Sequence, residues 1–284
     1  MEELKMINKT LFRKEFKANY ILLLIFLGIL TMYSCMIVSM FDPKLGDSLQ
    51  AMADSMPEIF AAFGMADAGT TLLEFVTNYL YGMLFIAFPG VFIILLSNRL
   101  IARYVDNGSM AYLLAIPRKR SQLAITQAIF MGFCLLIMAV YVTSLIIIES
   151  ELLFPKELEI HAFLRINIGL FGLFLFLGGI CFFFSCFFNE SKYCTGASAG
   201  IVIYSILIQM ISQVGDKFEN LKYVTPLTLF DTDGLAQSAS KAWVGCGILY
   251  IIGILAFLMG IRVFSHKNLS IYKTDFLSPK RPLP

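Results

Sequence analysis

Six stretches of this chain contain no Asp, Glu, Lys or Arg, and each is long enough to cross a lipid hydrocarbon core, which takes about 20 helical residues. They run over 20–41, 75–98, 122–148, 166–189, 194–214 and 242–261. A membrane strand alternates lipid-facing and lumen-facing residues, whereas Leu173-Phe174-Leu175-Phe176-Leu177 and Phe182-Phe183-Phe184 do not alternate, so helices are the expectation. Of the 284 residues 58% are hydrophobic and 15% charged, against about 45–50% and about 25% in a soluble domain. An ordinary soluble protein is excluded and the bilayer is the solvent. A net charge of +2 gives no support for a nucleic-acid partner.

The loops set the orientation. With the N-terminus in the cytosol, the inner segments carry five Lys/Arg before the first stretch, five between the second and third, Lys192, and five after the sixth. Inside, basic residues outnumber acidic ones 16 to 6; outside, the ratio is 6 to 14. The excess of cations inside places both termini in the cytosol of a multi-pass protein of the plasma (cytoplasmic) membrane. The leader carries both charge signs and no small-residue cleavage site follows the first stretch, so a cleaved signal peptide does not fit. The six Cys lie in or at the edge of the apolar stretches, without CxxC or Cys/His spacing, and read as small hydrophobes, not as disulfides or metal ligands.

Between the stretches, 1–19 places Leu4, Ile7, Leu11, Phe12 and Phe16 at helical spacing with Lys5, Lys9, Arg13, Lys14 and Lys17 on or beside the other face. This is the pattern of an interfacial helix; a solvated leader is the alternative. In the outer loop 42–74, apolar residues recur at steps of three and four between 48 and 64, as in a short amphipathic helical pair, and Ser55/Glu58 and Thr71/Glu74 have capping-box spacing. Pro89-Gly90 permits a kink in the second stretch. Thr195, Ser198, Ser205, Gln209 and Ser212 fall on one face of the fifth, which faces protein or a cavity; helix packing and cavity lining both suit it. Gly196 and Gly200 form a GxxxG step that allows close helix approach. Phe182, Phe183, Phe184, Phe187 and Phe188 of the fourth stretch surround the helix instead of forming one stripe, which leaves open whether they face lipid or a neighbouring helix, with lipid contact the default.

Chemistry is sparse. The six stretches contain no ionisable carboxylate, Lys, Arg or His, which argues against ion-driven transport. No HExxH, paired intramembrane Asp, Ser/His/Asp set or GxxxxGK[ST] loop is present, so the chain is not expected to be an enzyme or to bind nucleotide, cofactor or metal itself. The inner loop 99–121 contains Asp106, Asn107 or Ser109 as a helix cap, an apolar stripe of Met110, Leu113 and Leu114, and Pro117 before Arg118, Lys119 and Arg120. A short apolar-faced helix there has to dock on the membrane, on the spans or on another protein.

Asp106, Gly108, Leu113, Leu114, Ala115, Pro117 and Arg120 form an acidic-x-Gly, then Leu-Leu-small-x-Pro-x-x-Arg arrangement. With six spans and an amphipathic leader, this resembles the membrane subunit of ABC type-2 exporters. Thr225-Pro226-Leu227 and Phe264-Ser265-His266-Lys267-Asn268-Leu269 are weaker echoes. Asp106 departs from the more usual Glu, which shortens the reach of that charge. The resemblance implies an all-α polytopic fold, a single transmembrane domain over 1–284, and coupling to a cytosolic ABC ATP-binding subunit. Asp106, Gly108, Ser109, Leu113, Leu114, Pro117, Arg118, Lys119 and Arg120 would meet that subunit, which would hold ATP and Mg. The outer loops 42–74 and 215–241 would gate a path lined by the second and fifth spans, with Pro89 and the Thr195, Ser198, Ser205, Gln209, Ser212 stripe. The cytosolic tail is 262–284, and a second membrane subunit, identical or related, would complete the pathway. The cargo expected is a drug, antimicrobial peptide or lipid. The competing reading is a scaffold or sensor that binds a cytosolic partner through 106–120 and moves nothing.

Overall fold

In the computed structural model residues 8–42, 54–62, 69, 71–110, 120–214 and 216–267 are described. The helices are α1 Lys9–Met40, α2 Pro57–Ala62, the composite α3 Leu72–Asp106, α4 Arg120–Leu153, α5 Ile160–Phe187, α6 Ser191–Gln213, α7 Thr232–Ala236 and α8 Ser240–His266. Six of them, α1, α3, α4, α5, α6 and α8, are long and apolar enough to cross a membrane, and no strand occurs among the described residues.

The leader differs from the expectation of a separate interfacial helix. From Lys9 it continues without a break into the first span as one helix of 32 residues, about 48 Å long at 1.5 Å per residue, which overruns a hydrocarbon core of about 30 Å. Leu11, Glu15, Asn19, Leu22, Phe26 and Leu30 form one buried stripe across the expected junction. Asn19 Nδ2 also donates to the Glu15 carbonyl at 3.0 Å, one turn back within that helix. Residues 1–7, with Leu4, Lys5 and Ile7, lie outside the described residues.

α1 runs beside α4 in the same direction. Phe12 packs edge-on to Phe130, Thr31 shares a 2.7 Å hydrogen bond with Tyr141, and Phe41 meets Phe154. The capping box expected at Thr71 is present, with Thr71 Oγ1 accepting from the Glu74 amide at 3.2 Å and Glu74 Oε2 accepting from the Thr71 amide at 3.1 Å. Of the outer pair expected within 48–64, Pro57–Ala62 is helical, while 48–53 and 63–64 lie outside the described residues.

The sequence leaves open whether the Phe-rich fourth span faces lipid or a neighbour, and the bundle buries most of it. Of its most apolar window 67% is buried, against 22% for α6, and Phe163, Phe174, Phe176 and Phe182 are in the core. Glycine explains the placement, because α8 comes close enough to α5 that a Cβ on Gly253 would sit 2.8 Å from the Leu175 backbone, and one on Gly179 would collide with the Gly253 carbonyl. Backbones at that separation leave the aromatic rings of α5 to fill the space on either side.

α3 is irregular for a reason visible in its sequence. Pro89 donates no hydrogen bond and its ring crowds the carbonyl four residues earlier, on Phe85. Phe85 is the point where wide π turns over Thr77–Leu84 hand over to an α-helical segment, and its backbone has φ −78°, ψ 0°. A second π segment covers Asn98–Ala102.

Candidate functional site

The inner end of the bundle converges on one carboxylate. Asn8 caps α1 through its side chain and its amide donates to Thr126 Oγ1 of α4 at 3.0 Å. This fixes the first turns of α1 against α4 and brings Glu15, only 1% exposed, between three helices. Glu15 Oε1 accepts from Tyr104 OH at 3.0 Å and from Gln127 Nε2 at 3.0 Å, and Asn19 Nδ2 donates to Oε2 at 3.3 Å. A carboxylate removed from water is tolerated only with such donors around it. The result ties α1, α3 and α4 together immediately before loop 106–120. Glu15, Tyr104 and Gln127 carried no signal in the sequence.

The candidate coupling residues fall into two groups. Asp106 ends α3, Gly108 takes the left-handed backbone at φ +69° that a side chain would strain, and Ser109 Oγ donates to the Tyr104 carbonyl at 3.4 Å. Arg120 starts α4 and its Nη1 donates to the Lys267 carbonyl at 3.1 Å. Lys267 in turn donates through Nζ to the carbonyls of Cys186 and Phe187 at 2.9 and 2.6 Å, capping the C-terminal end of α5 where a cation is favoured. Burial pushes the Lys267 ammonium pKa below its usual range. Leu113, Leu114, Pro117, Arg118 and Lys119 lie outside the described residues. Both ends of the loop are thus fastened to the bundle, the first next to the Glu15 cluster and the second to the ends of α5 and α8.

The candidate path residues are drawn to the protein side of α6. Pro89 is buried in α3, and at the next residue a Cβ on Gly90 would stand 2.9 Å from Val202 of α6. At the inner end Asn98 Nδ2 donates to Thr195 Oγ1 and Ser191 Oγ donates to Asn98 Oδ1. Ser198 is buried beside the Cys181 and Cys194 thiols. Further out, Ser205 Oγ donates to the Ile201 carbonyl at 2.7 Å while its own carbonyl accepts from Thr225 at 3.1 Å. Gln209 Oε1 accepts from Thr228 at 3.3 Å, and Ser212 Oγ donates to the Gln209 carbonyl at 2.7 Å. The stripe therefore packs against α3 at its inner end. At its outer end Gln209 borders a cavity of about 560 Å³ that Lys222, Tyr223, Phe230 and Lys241 also line. Both uses left open by the sequence occur, at different depths. Gly196 and Gly200 are on the opposite side, where an added Cβ meets nothing within 4 Å.

One further contact had no sequence signal. Ser185 of α5 accepts from the Ala102 amide at 3.2 Å and donates to the Ser97 carbonyl at 2.7 Å. Its hydroxyl is inserted between the two groups that an i→i−5 hydrogen bond would join, at the second π segment of α3.

A family model described as "ABC-2 family transporter protein" matches residues 9–269. No curated protein matches the chain.

Proposed function

The chain belongs to the ABC-2 transporter family, and from that premise we propose that this multi-pass permease subunit works in an ATP-driven exporter. The observation that carries the reading is the fastening of loop 106–120. Tyr104, two residues before Asp106, is held by buried Glu15, and Arg120 is held by the carbonyl of Lys267, whose side chain caps α5. A force applied from the cytosol at either described end of this loop reaches α1, α3, α4 and α5 through these contacts, as a permease driven by a separate subunit requires. ATP and Mg²⁺ belong to that cytosolic ABC ATP-binding subunit. A second membrane subunit, identical or related, completes the path.

The cargo class is amphipathic or apolar: a drug, an antimicrobial peptide or a lipid. The α6 stripe offers four hydroxyls and the Gln209 carboxamide, and the outer cavity joins aromatic and apolar walls to Lys222 and Lys241. Such a surface suits a large solute with one polar end better than a small ion.

The test is a charge reversal in the loop. Arg118→Glu with Arg120→Glu is expected to dissociate the ATP-binding subunit or to leave its ATPase running without transport, read by copurification and by flux in proteoliposomes. Copurification and coupled turnover equal to the unaltered protein would overturn the docking role. Partner binding without any ATP-dependent flux in the unaltered protein would favour a scaffold.

A further inference from the structure

Between α1 and α3, at the inner end, lies an open cavity of about 270 Å³. Arg99, Arg103, Asn107 and Ser109 line one side, and Asn19 and Glu15 form the back. Arg99 and Arg103 are one helical turn apart on α3 and so share a face. Among the described residues neither guanidinium has a hydrogen-bond or ion-pair partner. Glu15 does not neutralise them by contact, because its Oε1 is engaged by Tyr104 and Gln127 and its Oε2 by Asn19. Two guanidiniums outnumber the one carboxylate in the lining, and the Lys14 ammonium lies over the ring of Tyr104, 5.6 Å from its centroid, so the site is net cationic.

The cavity opens onto the lipid-facing side of α1. Ala18 lies on its rim, and the same face continues towards the membrane centre as Ile21, 57% exposed, and Ile25, 54% exposed. It then reaches Gly28, where an added Cβ would meet nothing within 4 Å. A cationic, hydrogen-bonding pocket at the cytosolic interface thus leads directly into an apolar track at acyl-chain depth.

We infer that this cavity binds the headgroup phosphodiester of an anionic inner-leaflet glycerophospholipid, with an acyl chain along the Ile21, Ile25 and Gly28 face of α1. Basic pockets on the cytosolic side of membrane helices select such headgroups, and paired guanidiniums match phosphate oxygens geometrically. Asn107 and Ser109 supply neutral groups for headgroup hydroxyls. Because Glu15 and Asn19 form both the cavity wall and the hub between α1, α3 and α4, an occupied site braces the base of loop 106–120. This goes beyond the exporter reading and does not need it.

The test uses the purified full chain in detergent with equal phosphatidylglycerol and phosphatidylcholine, with retained lipid read by native mass spectrometry. Phosphatidylglycerol is expected to be retained preferentially. Arg99→Gln with Arg103→Gln is expected to weaken that retention about fivefold for each guanidinium removed. Lys192→Gln, an exposed inner cation outside the cavity, leaves it unchanged. If the double variant does not fold, Arg103→Gln alone decides, since Arg103 is exposed and its loss buries no vacancy; it is expected to weaken retention about fivefold. Equal retention by the Arg variants overturns the inference. So does an equal loss in Lys192→Gln, which would mean general attraction to the surface, or displacement of the lipid by millimolar inorganic phosphate, which would mean a free-anion site. None of these readouts involves ATPase or flux, so their failure leaves the exporter reading standing.

Discussion

Glu15 shows how one residue can hold an end of a membrane protein together. Its carboxylate accepts from a phenol on α3, a carboxamide on α4 and an amide on its own helix, and removing it would strand the phenol and the Gln127 carboxamide, while Asn19 keeps its bond to the Glu15 carbonyl. A buried donor left without a partner costs about 1–3 kcal/mol. Glu15→Ala is therefore expected to lower the thermal midpoint of the purified protein by several degrees, while Glu15→Gln, which retains an acceptor oxygen, loses less. Dye-monitored unfolding in detergent checks the order. Midpoints equal to the unaltered protein for both variants would show that the hub stabilises nothing. The hub was illegible in the sequence because its members, at 15, 19, 104 and 127, carry no shared spacing, and only Asn19 stands one turn from Glu15. The candidate path residues were legible for the opposite reason, since Thr195 to Ser212 lie on one helix at its own period.

At the scale of elements, hydropathy was enough to locate six helices but not to order them from centre to rim. α5 and α1 are both apolar and charge-poor over a full crossing, yet α5 is central and α1 leaves much of its surface outside the bundle. In a bilayer, apolar character does not drive helices together, so close backbone approach decides which faces pack. The glycines at 172, 179, 253 and 260 were in plain view, but the pairing of Gly179 with Gly253 across two helices requires coordinates. The GxxxG step of α6, by contrast, makes no close approach within the chain. The seam between α5 and α8 yields a prediction. Gly253→Leu places a side chain against the Leu175 backbone, which cannot swing aside as a side chain can, and overpacking of this kind costs about 1–3 kcal/mol or more. The expected outcome is a sharp fall in folded yield by fluorescence-detected size exclusion. Gly247→Leu on the same helix, where an added Cβ meets nothing within 4 Å, is expected to express normally. Equal yields would remove the seam as the reason for the burial of α5.

For the whole molecule, orientation follows from charge. The basic end of the bundle carries the Glu15 cluster, the Arg99 and Arg103 cavity, and the Arg120 and Lys267 contact, and every one of these gains meaning only if that end faces the cytosol. The positive-inside imbalance of 16 to 6 against 6 to 14 favours this by many charges, so reversing one or two should not invert the protein. Single cysteines at opposite ends test it. Lys156 is in the turn between α4 and α5, and Lys192 is in the first turn of α6. The native thiols at 134, 181, 186, 194 and 246 are buried and Cys35 is half-buried within a span, so they contribute little background to an aqueous reagent. In intact cells a membrane-impermeant maleimide is expected to label Lys156→Cys and to spare Lys192→Cys until the membrane is opened. Labelling of Lys192→Cys alone in intact cells would invert the molecule. Loop 106–120 would then face away from any cytosolic ATP-binding subunit, and the phosphodiester cavity would open to the outer leaflet.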